Sequence, residues 1–159
     1  MLVAVSLYDV ILSVHIMAVV AAFGVMFAYP IFVGVGRRID PKGLPLFHRT
    51  QQQVIRRLIT PGLVVVILAG IYLAAKLHAF SDLYVGWGFV AALALGGLAS
   101  GYLAPRERKL AELAEADLAG AGELGGEYDA LSRQVSAASL FGGAIVLATI
   151  LVMTLRLGS

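Results

Sequence analysis

The sequence contains no cysteine. That excludes disulfides, iron–sulfur clusters, thiolate metal sites and a cysteine nucleophile. Charge is scarce as well: 14% of the 159 residues are charged and 60% are hydrophobic, whereas a soluble domain carries about 25% charged residues. No Walker loop, HExxH motif, nucleophile elbow or Rossmann glycine pattern occurs, and no pair of carboxylates lies inside an apolar stretch to relay protons. An acid–base or nucleophilic enzyme acting alone would have little to work with, so redox chemistry would need a cofactor. The N-terminus, MLVAVSLYDV, lacks the basic region and cleavage site of a secretory signal, and the first apolar run is therefore expected to stay as a helix. Nothing in the chain suggests a nucleic-acid partner.

What the chain has is long uncharged runs. No Asp, Glu, Lys or Arg occurs at Val10–Gly36, Leu58–Ala75, Leu83–Pro105 or Gln134–Leu155, gaps of 27, 18, 23 and 22 residues. About 20 apolar residues suffice for a helix to cross a hydrocarbon core of about 30 Å. The pattern predicts an all-α membrane protein, a four-transmembrane-helix bundle forming one domain over residues 1–159. Its helices should lie near residues 7–36, 56–78, 83–105 (with a cytoplasmic extension to about 119) and 132–156. Ten of the twelve Lys and Arg residues fall in the first and third loops; only Lys76 and Arg156 stand on the other side. By the positive-inside rule both termini face outside and those loops face the cytoplasm of a bacterial-type cell membrane.

Details within the runs refine this picture. Pro30 should kink the first helix by freeing the carbonyl of Met26. The segment LFHRTQQQVIRRLITPG reads as an amphipathic helix on the inner surface, its arginines attracted to anionic headgroups. Gly88, Ala92, Gly96, Ser100 and Ala104 recur every four positions in helix 3, and Gly97 pairs with Gly101. Helix 4 adds Ala138 with Gly142 and Ser139 with Gly143. Small residues at this spacing let membrane helices approach closely. They serve packing within the bundle, with a homodimer seam as the second use.

His15 is the one ionisable residue inside an apolar run of helix 1, and such residues are functional hypotheses by default. It lies roughly 8–9 Å inside the outer boundary set by Asp9. Ala18, Ala22, Met26 and Tyr29 share its face, and the two alanines leave a small recess against which a flat cofactor or another helix could lie. A neutral imidazole at this depth can hydrogen-bond a carbonyl, hold a metal or ligate heme iron. Met26 is some 16 Å further along the helix and cannot ligate the same iron. His78, beside Lys76 at the outer end of helix 2, falls in the same leaflet and would join His15 only by dipping inward; otherwise it snorkels to water. His48 belongs to the cytoplasmic loop and joins neither.

In these features the chain resembles a bacterial group of small integral membrane proteins that includes the HemJ-type protoporphyrinogen oxidase and the CopD-type copper resistance membrane domain. The resemblance rests on SVHIMAVVAAFGVMF (His15, Gly24), on RRLITPGLVVVILAGIYLA (Arg56, Arg57, Pro61, Gly70) and on Trp87, and covers helices 1 to 3. It implies heme b, with His15 as iron ligand, and a redox partner or quinone. In the HemJ-type enzyme a lysine at the outer end of helix 3 is the partner ligand; the matching stretch here, LYVGWGFVAAL, contains none. The CopD-type implies copper handling, but the four methionines and three histidines form no cluster. The expected function is a heme-b protein in electron transfer or an associated oxidation. The alternative is a non-enzymatic four-helix subunit or small transporter oligomerising through helices 3 and 4.

Overall fold

The computed structural model describes residues 5–158. It is an all-α bundle of four rods, with no strand among the described residues. The first rod joins α1 (Leu7–Phe23) to α2 (Val25–Ile39), and the second joins α3 (Leu44–Val54) to α4 (Thr60–Leu77). The third joins α5 (Leu83–Gly96) to α6 (Ala104–Gly120), and α7 (Gly126–Thr154) is the fourth. All four are long and apolar enough to cross a membrane, and only 17–28% of each apolar window is buried inside the bundle. The remainder, including Leu68, Val90, Leu93, Phe141 and Leu151, faces outward. An apolar surface of that extent suits lipid rather than water.

Local chemistry sets the ends and joints. Ser6 caps α1 reciprocally with Asp9: the Asp9 amide donates to Ser6 Oγ at 3.2 Å, and the Ser6 amide donates to Asp9 Oδ2 at 3.0 Å. The helices of the first rod meet at Gly24, which keeps right-handed helical geometry, and Pro30 sits inside α2. A Cβ at Gly24 would lie 2.8 Å from the Val20 carbonyl oxygen, so a side chain there would force the local backbone to shift.

The second and third rods run unbroken through single π-helical stretches, Ile55–Ile59 and Gly97–Leu103. Each stretch ends just before a proline at the start of the next helix, Pro61 or Pro105. A proline ring clashes with the carbonyl four residues back, and the wider π turn relieves the clash without ending the rod. The segment expected to lie on the inner surface therefore stands upright as α3 and packs against α6. The helix 3 extension forms as expected and ends at Gly120, whereas α7 starts at Gly126, six residues before the expected 132.

The joints divide the bundle into two halves. In one, α1, α4, α5 and the second part of α7 pack together; in the other, α2, α3, α6 and the first part of α7 do so. The second half holds most of the closed core, including Val33, Leu44, Leu103, Leu110 and Val135.

Candidate functional site

In the first half the helices line a half-open cavity of about 520 Å³, a size typical of small-molecule and cofactor sites. His15 lines it. Its Nδ1 lies 3.0 Å from the Val66 carbonyl oxygen. A carbonyl only accepts, so Nδ1 carries the proton and donates, which leaves Nε2 with its lone pair free. The ring lies over Gly70, where an added Cβ would stand 3.6 Å from His15 Cε1. Two residues of α4 thus orient the imidazole, one by its carbonyl and one by its missing side chain. The walls are otherwise apolar, and the other polar residues lining it are Tyr8, Tyr84, Thr149, Thr154 and Arg156. Met153 also lines the space. Trp87 Nε1 donates to Thr149 Oγ1 at 3.1 Å, tying α5 to α7 at this level.

The other residues considered for the cofactor, Ala18, Ala22, Met26 and His78, do not line this cavity. Ala18 and Ala22 face α4, where Gly62 fills the recess: its added Cβ would be 3.0 Å from Ala22 Cβ. Met26 is buried against Gly142, with its sulfur 3.1 Å from that glycine's added Cβ. His78 is exposed and ends α4 in the left-handed conformation at φ 52°. The Ala79 amide closes that turn on the Ala74 carbonyl at 3.0 Å, which holds His78 away from His15's cavity. The small-residue stripe serves contacts inside the bundle. Gly88 and Ala92 line the cavity, Gly96 receives the Leu63 side chain, and Gly142 receives Leu98. Ser100 is exposed and meets Thr60 Oγ1 at 3.1 Å.

The second half contains a group that sequence reasoning missed. His48, assigned to a loop, is fully buried. Its Nδ1 lies 2.8 Å from Glu107 Oε2 and its Nε2 lies 2.8 Å from the Tyr128 hydroxyl. The carboxylate accepts from Nδ1–H; Nε2 accepts the tyrosine O–H when the ring is neutral and donates to it when the ring is charged. Tyr29, also buried, places its hydroxyl near Glu107 without a hydrogen bond to it. Gln51 and Ser132 are buried close by in the chain. Four rods each contribute one residue, from α2, α3, α6 and α7. Arg37 shields the group's flank, pairing with Asp129 at 2.8 Å and standing 6.0 Å from the Tyr128 ring centre.

Fold and site together define a four-helix bundle compatible with a membrane, with a histidine-lined apolar cavity in one half and a buried His–Glu–Tyr group in the other. Compared with family models, curated proteins and solved structures, the chain matches none.

Proposed function

We propose that the chain is a bacterial cytoplasmic-membrane protein that binds heme b in the His15 cavity and serves electron transfer or an associated oxidation. Both termini face outside, as the Lys and Arg distribution requires. The observation that carries the reading is His15 itself: an oriented imidazole with a free Nε2 lining an apolar cavity of about 520 Å³. The donor set supports heme over a bare ion. No group of three or more His, Cys, Asp or Glu occurs among the described residues, whereas heme iron needs only one or two axial ligands from protein.

When bound, heme supplies one-electron chemistry at the iron. The chain's own residues do the rest. Val66 fixes the tautomer of His15 and strengthens its Nε2 as a donor. Gly70 admits the imidazole ring of His15, and the apolar walls would give a bound heme a low-dielectric surround. Arg156 at the rim matches the charge of a propionate. Met153, Tyr8 and Tyr84 are the other cavity residues of types that ligate heme iron, and they, rather than His78, would be available to hold the iron together with His15. The resemblance to the HemJ-type and CopD-type group points the same way.

The test is an oxidised and dithionite-reduced absorbance spectrum of protein purified in detergent after expression with heme precursor. A Soret band and b-type reduced bands are expected, and both should be lost in His15→Ala. A colourless wild type that stays colourless after added hemin overturns the reading. A second reading, a non-enzymatic oligomeric subunit or small transporter, draws on Gly97 and Gly101, which face open space beside no other side chain. A colourless protein of defined oligomeric state would favour it.

A further inference from the structure

A second cavity, of about 600 Å³, opens on the outside of the bundle between the second and third rods. Its lining is about half polar where the first is almost wholly apolar, and it is not part of the His15 site. Gln52, Arg56 and Thr60 stand along one side at four-residue intervals; Ser100, Arg108, Lys109 and Glu112 line the other. Both π-helical stretches flank it. Ala104, buried and small, lies between the facing rows.

The charges in this groove are unevenly satisfied. Arg108 pairs with Glu112 at 2.8 Å, whereas Lys109 reaches Glu127 only at 3.7 Å. Arg56 has no carboxylate within ion-pair distance among the described residues. Beneath the cations are two hydroxyls. Thr60 Oγ1 donates to the Ile55 carbonyl at 2.9 Å, so the 3.1 Å contact between Thr60 and Ser100 is a donation from Ser100. That Ser100 proton can rotate toward an incoming acceptor.

Position along the rods narrows the occupant. Thr60 and Ser100 fall inside the uncharged runs Leu58–Ala75 and Leu83–Pro105, while Arg56, Arg108 and Lys109 fall just outside them. The groove therefore straddles the hydrocarbon boundary, at the end of the bundle that carries ten of the twelve basic residues. Lipid phosphates lie at that depth, and arginine binds them through paired N–H donors. Gly97 and Gly101, one turn away and open to their surroundings, leave room along the third rod for an acyl chain.

We infer that this groove holds the phosphate of one anionic glycerophospholipid, gripped by Arg56 and Lys109 and capped on its lipid side by Ser100. Native mass spectrometry of the full chain in detergent tests this with phosphatidylglycerol, phosphatidylcholine and inorganic phosphate as probes. The wild type should retain one phosphatidylglycerol in preference to phosphatidylcholine. R56Q should lower that retention about fivefold, the worth of one arginine near a charged surface. K109Q should act in the same direction, and R57Q, whose arginine lies outside the groove, should leave it unchanged. Equal retention of the two lipids overturns the proposal, as does an equal loss in R57Q, which would mean diffuse charge without a site. Binding of inorganic phosphate with no preference for phosphatidylglycerol would assign the groove to a free ion and overturn the lipid. Thermal midpoints of both variants near that of the wild type show that the loss is local, since Arg56 and Lys109 are exposed.

Discussion

His48 and His15 show how differently two histidines can be read. His15 interrupts an uncharged run of 27 residues, so its oddity is local and visible in a short window. His48 sits between Lys42 and Arg49, in a charged segment between two spans that reads as an amphipathic surface helix. Its partners are 59 and 80 positions away, and no spacing rule links them. Only the packing of α3 against α6 and α7 makes the group. Once made, it is expensive to disturb. His48→Ala leaves the Glu107 carboxyl buried without its partner, at about 3–5 kcal/mol. In a bundle of this size that should lower the thermal midpoint by about 10 °C. Tyr128→Phe removes one hydrogen bond to Nε2 and should cost about 1–3 kcal/mol. Arg49→Gln breaks only an exposed pair with Glu115 and should cost less than about 1 kcal/mol. Thermal unfolding in detergent ranks the three; a His48→Ala midpoint no lower than that of Arg49→Gln would mean the buried group contributes nothing to stability. The Gly70 position is read the same way. Gly70→Ala fits, because a Cβ there makes an ordinary 3.6 Å contact with His15. Gly70→Leu has no room and should push the imidazole off Val66, which a heme spectrum or hemin titration would register as weakened binding.

At the scale of helices, the uncharged runs located four spans, yet not the joints within them. Pro30, Pro61 and Pro105 are equally visible as prolines, and the chain treats them differently. Pro61 and Pro105 are preceded by π turns that absorb the clash, whereas Pro30 is carried inside α2 with no π turn before it. Such choices depend on which neighbour each rod leans on, and one chain's sequence does not display that. The same holds for the glycines. A four-residue repeat marks Gly96, Gly97, Gly101 and Gly142 alike, but the space around each sorts them. Gly142 is closed in: an added Cβ would be 2.9 Å from Leu98 Cδ2 and 3.1 Å from Met26 Sδ. Gly97 meets nothing within 4 Å. Gly142→Ala is therefore expected to destabilise by about 1–3 kcal/mol through overpacking. Gly97→Ala should be neutral or stabilising by up to about 1 kcal/mol, because alanine is the better helix former. Opposite signs in thermal unfolding would confirm the sorting. A loss of stability for Gly97→Ala accompanied by a smaller oligomer would instead place that face at a contact between copies.

For the whole molecule the decisive quantity is the distribution of charge between the two ends of the bundle. The fold carries Arg37, Arg49, Arg56, Arg106 and Arg133 toward the half that holds His48, and Lys76 and Arg156 toward the half that holds His15. Cytoplasmic Lys and Arg resist translocation, so the His15 cavity should open on the outer side and the phosphate groove on the inner leaflet. This matters for function, because a cofactor in the outer leaflet would exchange electrons with partners on that side. The absence of cysteine makes the orientation directly measurable: any introduced thiol is the only one in the protein. Leu46 on α3 and Phe80 after α4 are both well exposed, at 71% and 56%, and lie at opposite ends. Phe80→Cys should react with a membrane-impermeant maleimide in intact cells, and Leu46→Cys only after the membrane is opened. The reverse pattern would turn the bundle over, place the His15 cavity on the cytoplasmic side and remove the charge argument for an inner-leaflet lipid. Labelling of both thiols in intact cells would mean that the population inserts in two orientations, in which case ten basic residues against two do not suffice to fix the topology of this chain.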